Sequence, residues 1–221
     1  MGQLVERLAR EAGDEVATVL GSREAAFPAE ELAEILGGHD AAIDFTVAEA
    51  VPRHAEACAL ARVPLVEGTT GWHARLGEVR ARVERENGAL IYGANFSVGV
   101  NLFYRVVARA AELFRRFDYA AFIEEAHHSR KRDAPSGTAL RLRDLVAEAY
   151  GPGVPVASTR AGHIPGTHRV GFDSAADTIT LTHAARSREG FAAGALVAAR
   201  WIRGKTGVYE FSETLEEILK G

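Results

Sequence analysis

Ala41-Ala42-Ile43-Asp44-Phe45, Val63-Pro64-Leu65-Val66 and Ala89-Leu90-Ile91-Tyr92 are three short apolar runs, and helix-like segments separate them. Runs of this length, bounded by glycine and polar residues, read as buried strands. Residues 47–61 have helical character, with Thr46 placed to cap them and Pro52 weakening the first turns. Residues 73–86 read as an amphipathic helix. Strands alternating with helices predict a parallel sheet of βα units.

The pattern extends in both directions. Upstream, Leu4, Val5, Leu8 and Ala9 recur at helical spacing, 16–20 is a short β-rich run, and 29–36 reads as a helix ending at Gly37-Gly38. Downstream, 98–117 is a long helix, 119–126 a strand and 136–150 a helix. Three runs then follow with no helix between them, 154–160, 168–172 and 178–184, which predicts an antiparallel or mixed sheet. A helix rich in small residues at 191–202, a glycine-containing turn and a helix at 212–219 close the chain. The expected fold is α/β. A Rossmann-like parallel-sheet domain spans 1–97 and 188–221, and an α+β domain with a mixed sheet spans 98–187.

Composition narrows the function classes. The 221 residues are 47% hydrophobic and 25% charged, a globular balance. The net charge of −4 gives no sign of wholesale nucleic-acid binding. The single cysteine, Cys58, excludes a disulfide scaffold and a cysteine-built zinc site. No apolar run reaches the ~18 residues of a membrane span, and residues 1–10 do not read as a signal peptide. A soluble, cytoplasmic protein is expected. Lysine is scarce beside arginine, which codon bias explains more simply than thermal adaptation.

Ligands of open parallel sheets bind beyond the carboxyl ends of the strands. Three such ends carry Asp44-Phe45-Thr46, Gly68-Thr69-Thr70-Gly71 and Gly93-Ala94-Asn95-Phe96-Ser97. Glycines permit close backbone approach, and hydroxyls and amides offer neutral hydrogen bonds. Each loop alone is ordinary turn chemistry; three in succession point to a cofactor crevice.

The densest chemistry lies in Glu124-Glu125-Ala126-His127-His128-Ser129-Arg130-Lys131-Arg132-Asp133-Ala134-Pro135-Ser136-Gly137-Thr138. Ser136-Gly137-Thr138 opens a helix, where free N–H groups and the helix dipole favour an anion. The cations beside it suit carboxylate or phosphate, and histidine moves protons near neutral pH. A solvated basic face and a plain helix cap are the simpler alternatives. Adjacent histidines on a strand point to opposite faces, so no metal site is expected.

The segment from His127 to Ala139 closely resembles the signature of the 4-hydroxy-tetrahydrodipicolinate (dihydrodipicolinate) reductase family. Ile43-Asp44-Phe45-Thr46, Gly68-Thr69-Thr70-Gly71, Ala94-Asn95-Phe96-Ser97-Val98-Gly99-Val100-Asn101, the run from Arg160 to His168, and His183-Ala184-Ala185-Arg186-Ser187-Arg188 match further motifs in order. This resemblance implies NAD(P)H-dependent reduction of a small cyclic dicarboxylate. His127 is then the proton donor or acceptor and Lys131 a proton donor at the ring. His128, Ser136, Gly137 and Thr138 match positions that hold substrate carboxylates, and Thr70 lies where cofactor and substrate meet. Gly2, Phe45, Thr46, Gly68, Thr69, Thr70, Ala94, Asn95, Phe96 and Arg188 match cofactor positions, and a homotetramer is implied.

Two departures stand out. Met1-Gly2 aligns with the end of the family's glycine-rich turn, so a first strand and most of that turn, about a dozen residues, are expected to be missing. A late start of the reading frame explains this more simply than a genuinely shortened protein. Where an acid usually meets the adenine ribose, the chain reads Gly21-Ser22-Arg23-Glu24. Ser22 and Arg23 suit a 2′-phosphate, which leans towards NADPH over NADH. A non-catalytic dicarboxylate-binding oligomer, or an oxidoreductase acting on another carboxylated ring, are the alternative functions.

Overall fold

In the computed structural model, which describes residues 1–218 and 220, the three apolar runs form β1 (Ala42–Asp44), β2 (Leu65–Glu67) and β3 (Ala89–Tyr92). They lie side by side and parallel, with Ala42 opposite Leu65 and Leu65 opposite Leu90. The connections are α3 (Val51–Ala61) and α4 (Leu76–Arg85). Pro52 falls in the first turn of α3, where no intrahelical N–H is needed, so the helix starts at Val51 and not at 47. Preceding these are α1 (Gly2–Glu11) and α2 (Ala29–Leu36).

Residues 16–20 correct the strand expectation. They form no strand, because no backbone ladder lies beside them. The segment is tied instead through the Thr18 hydroxyl to His39 Nε2 at 2.9 Å. Residues 16–20 and the outer edge of β1 both line a cavity of about 730 Å³.

The chain divides into two compact units, Met1–Val98 with Glu189–Gly221, and Gly99–Arg188. The first is completed by α7 (Glu189–Ile202), β8 (Gly207–Glu210) and α8 (Phe211–Ile218). The expectation for 212–219 reaches Leu219, which lies outside the described residues. Strand β8, which sequence pattern did not show, pairs parallel with β3 and gives the order β1-β2-β3-β8. Side chains alternate across this sheet. Val66 and Ile91 pack under Ala195, Ala198 and Ile202 of α7, while Leu65 and Leu90 pack under Val51, Ala55 and Cys58 of α3. Each fully buried Leu or Ile contributes roughly 1.5–3 kcal/mol.

The second unit holds α5 (Val98–Phe114), of which Val98 belongs to the first unit, β4 (Ala120–His127), α6 (Gly137–Tyr150), β5 (Val156–Arg160), β6 (Thr167–Asp173) and β7 (Thr178–Ala184). The sheet is mixed, in the order β5-β4-β6-β7, with only the β4–β5 pair parallel. Val107, Ala111, Leu142 and Val146 of α5 and α6 cover Ile123, Val170 and Phe172.

Candidate active site

Strand β4 carries Ile123, Glu125 and His127 on its buried face. The period of two that packs Ile123 into the core thereby places an acid and an imidazole side by side. Glu125 Oε2 accepts a short hydrogen bond from His127 Nδ1. Its other oxygen accepts from Arg160 Nη2 at 2.7 Å and from the Ser136 N–H at 3.3 Å. Burial pushes the Glu125 carboxyl upward, but its bonds from Arg160, Ser158 and His127 outweigh this and hold it at about 2. Glu125 is therefore ionised, and the proton on His127 Nδ1 is fixed by it.

Burial also lowers the His127 pKa, and the charges of Lys131 and Arg160 add to this against the pull of Glu125. At neutral pH the ring is neutral, with its lone pair at Nε2. Gly166 lies beside that nitrogen; a β-carbon there would come within 3.1 Å of Nε2. His168 stands edge-on to His127, with ring centroids 5.1 Å apart. Burial pushes its pKa down to about 4. Sequence reasoning places Glu125 in the basic segment and Arg160 and His168 at the ends of a matched motif, but gives none of the three a role in the site. The alternation Glu125-x-His127 was the available signal for the first.

Ser136 caps α6, its Oγ accepting from the Ala139 N–H at 3.2 Å. The same Oγ lies 3.0 Å from His168 Nε2. Gly137 and Thr138 begin the helix, where N–H groups lack intrahelical acceptors. The Thr138 hydroxyl meets Tyr104 of α5. Lys131 sits in the preceding turn, its Nζ 2.9 Å from Asp133 Oδ1. His128 follows β4, and its buried Nδ1 meets no partner among the described residues. Ligand atoms of Glu125, His127 and His168 lie within 4.8 Å of one another, as a metal site would require. Both Glu125 oxygens are already taken by an imidazole proton and a guanidinium, so a metal ion would have to displace these.

In the first unit, Phe45, Thr46, Gly68, Thr69 and Thr70 line one cleft of about 410 Å³, with Met1 at its side. A β-carbon on Gly68 would overlap the Phe45 ring, so glycine is what lets these two loops approach. Thr69 is buried, and its hydroxyl meets no partner among the described residues, although the residue lines the cleft. A buried, unsatisfied hydroxyl beside a cleft suits a polar ligand. These loops thus offer a hydroxyl and backbone groups to a polar ligand, which is compatible with the nicotinamide cofactor implied by the resemblance. Asn95 Oδ1 accepts from the Ser97 N–H, and Ala94 is exposed. Phe96 points into the core against Phe211, so only its backbone can serve a ligand. Gly2 lines the larger cavity. Ser22 and Arg23 are exposed and line neither space; Arg188 is exposed at the end of the second unit.

Two family models match almost end to end: dihydrodipicolinate reductase, N-terminus, over residues 2–96, and dihydrodipicolinate reductase, C-terminus, over residues 99–215. The chain belongs to the dihydrodipicolinate reductase family. It is 38% identical to the 4-hydroxy-tetrahydrodipicolinate reductase of Christiangramia forsetii over 194 residues, covering 82% of this chain and 81% of that one. It is likewise 38% identical to the reductase of Anaeromyxobacter dehalogenans over 211 residues, covering 84% and 76%. Among solved structures, the dipicolinate-bound dihydrodipicolinate reductase of Paenisporosarcina sp. TG-14 superposes with a TM-score of 0.66 at 25% identity, covering 77% and 71%.

Proposed function

We propose that this member of the dihydrodipicolinate reductase family reduces 4-hydroxy-tetrahydrodipicolinate to tetrahydrodipicolinate in lysine and diaminopimelate biosynthesis. The observation that carries this is the Glu125–His127 pair beside the Ser136 cap and Lys131, all within one unit. When bound, the nicotinamide cofactor supplies the hydride. Phe45, Thr46, Gly68, Thr69, Thr70, Ala94, Asn95, Phe96, Gly2 and Arg188 are the residues assigned to hold it.

The rest of the chemistry belongs to the chain. Loss of the 4-hydroxyl as water gives a conjugated imine; hydride addition to it leaves negative charge on nitrogen, which an acid must quench. The Lys131 ammonium is that acid. His127, neutral and with Nε2 open, accepts and returns protons while Glu125 fixes its tautomer. Ser136, Gly137 and Thr138 at the α6 N-terminus hold a substrate carboxylate, with His128 and Thr70 as further contacts.

NADPH is favoured over NADH. Glu24 Oε2 accepts from its own loop's Gly21 N–H at 3.0 Å, while Ser22 and Arg23 are exposed. An acid turned onto its own backbone leaves the guanidinium to meet a 2′-phosphate. No helix among the described residues is long and apolar enough to cross a membrane. A homotetramer in the cytoplasm completes the proposal.

The test follows oxidation of NADPH and NADH with freshly generated substrate. Substrate-dependent oxidation, faster with NADPH, is expected. No turnover with either cofactor by a folded protein would overturn the assignment.

A further inference from the structure

Asp44 and Glu67 end adjacent strands and are register partners across the β1–β2 ladder. Both are buried, Glu67 completely. Each holds the turn that follows it in the same manner. Asp44 Oδ1 accepts from the Thr46 N–H at 2.8 Å, and Glu67 Oε1 accepts from the Thr69 N–H at 2.7 Å. These two turns line the 410 Å³ cleft.

The remaining oxygens differ. Asp44 Oδ2 lies 2.7 Å from His54 Nδ1, and His54 Nε2 lies 2.9 Å from the Ala25 carbonyl. Both ring nitrogens of His54 face oxygen acceptors, which calls for a proton on each. Glu67 Oε2 meets no donor. As register partners on one face of the sheet, both buried, the two carboxyl groups are direct neighbours. Two carboxylates cannot share a hydrogen bond, and an ionised oxygen this deeply buried needs a donor.

We propose that Glu67 is a carboxylic acid in the working protein and donates its proton to Asp44, clamping the turn at Phe45-Thr46 to the turn at Gly68-Thr69-Thr70. Glu67 is thus a positioning residue for the cleft, a role that rests on the cleft being the cofactor site. Burial, and after it the charge of Asp44, push the Glu67 carboxyl up to about 9 against the opposing pull of Thr69, so the clamp persists through neutral pH and opens above it. The neighbouring titratable groups are Asp44 on β1, His54 and Cys58 on α3, and Tyr92, the register partner on β3. From the opposite face α7 brings Ala195, Ala198 and Ala199, which carry no charge.

Two measurements test this. Infrared spectra of ¹³C-glutamate-labelled protein at pH 7 should show the carbonyl stretch of one protonated glutamic acid, absent in Glu67→Gln. Fluorescence titration with NADPH should show affinity falling as pH passes about 9, a limb that Glu67→Gln removes. Glu67→Leu, which can neither donate to Asp44 nor accept from Thr69, should weaken binding about tenfold or more at every pH, and Glu67→Gln should restore most of it. An absent infrared band at pH 7, or an unchanged alkaline limb in Glu67→Gln, overturns the proposal. An intact band in a protein that binds neither NADPH nor NADH overturns the cofactor reading and the positioning role with it.

Discussion

Glu125 and His127 stand two residues apart on the buried face of one strand, and the carboxylate of the first grips Nδ1 of the second. This fixes which nitrogen exchanges protons. Glu125→Gln should therefore lower kcat by roughly ten- to a hundredfold, the usual effect of losing a group that orients a functional imidazole. Removing the negative charge also removes what raises the His127 pKa, so the limb of the pH–rate profile governed by His127 should move to lower pH. A profile and kcat matching the parent enzyme would show that the pair is not used.

His127→Gln and Lys131→Ala should each cost about 10²- to 10⁴-fold in kcat, the range for loss of a general acid or base. Lys131→Arg should not rescue, because a guanidinium does not release its proton at working pH. Steady-state kinetics decide this, with circular dichroism confirming the fold. Near-normal turnover in either first variant would reject that residue's role.

Ser136→Ala removes the cap of α6 and one bond to His168. A stability loss of about 1 kcal/mol is expected, seen as a Tm lower by about 2–4 °C for a chain of this size. Because the same helix terminus is assigned to a substrate carboxylate, KM should rise as well. A fall in Tm with KM unchanged would limit Ser136 to capping.

His168 makes stability depend on pH in a defined window. Its pKa in the folded state is about 4, against 6.5 ordinarily. Between those values the unfolded chain binds a proton that the folded chain refuses, so stability rises with pH from 4 to 6.5 and this contribution is flat above. His168→Gln should flatten that part of a denaturation-versus-pH curve. An unchanged slope would show that other groups set it.

Gly68→Ala places a methyl group into the Phe45 ring. Overpacking of this kind costs about 1–3 kcal/mol. The two loops must part, and the KM for cofactor should rise more than kcat falls. A variant with parental cofactor KM would show that the approach of these loops is incidental.

Much of this was legible because local pattern and tertiary role coincide. The runs at Ile43, Leu65 and Leu90 are apolar because both faces of a parallel sheet are covered, and their alternation with helices leaves few topologies. Ser136-Gly137-Thr138 announces a helix start by its own chemistry. Residues 16–20 show the opposite case. Val16, Thr18 and Val19 have β-type side chains, yet a strand also needs a neighbour, and pattern alone says nothing of neighbours. Gly207-Val208-Tyr209-Glu210 is too short and mixed to read as a strand; it becomes one because β3 offers an edge. Arg160 reaches Glu125 from 35 residues away, a distance over which spacing carries no information.

That pairing of β8 with β3 also has a meaning during synthesis. Residues 207–210 complete a sheet begun at residue 42, and residues 99–188 emerge between them. The interposed unit can close upon itself while the sheet around it still lacks an edge. On the ribosome the unit formed by residues 99–188 should therefore gain protease resistance first, and the other unit only once nearly the whole chain has emerged.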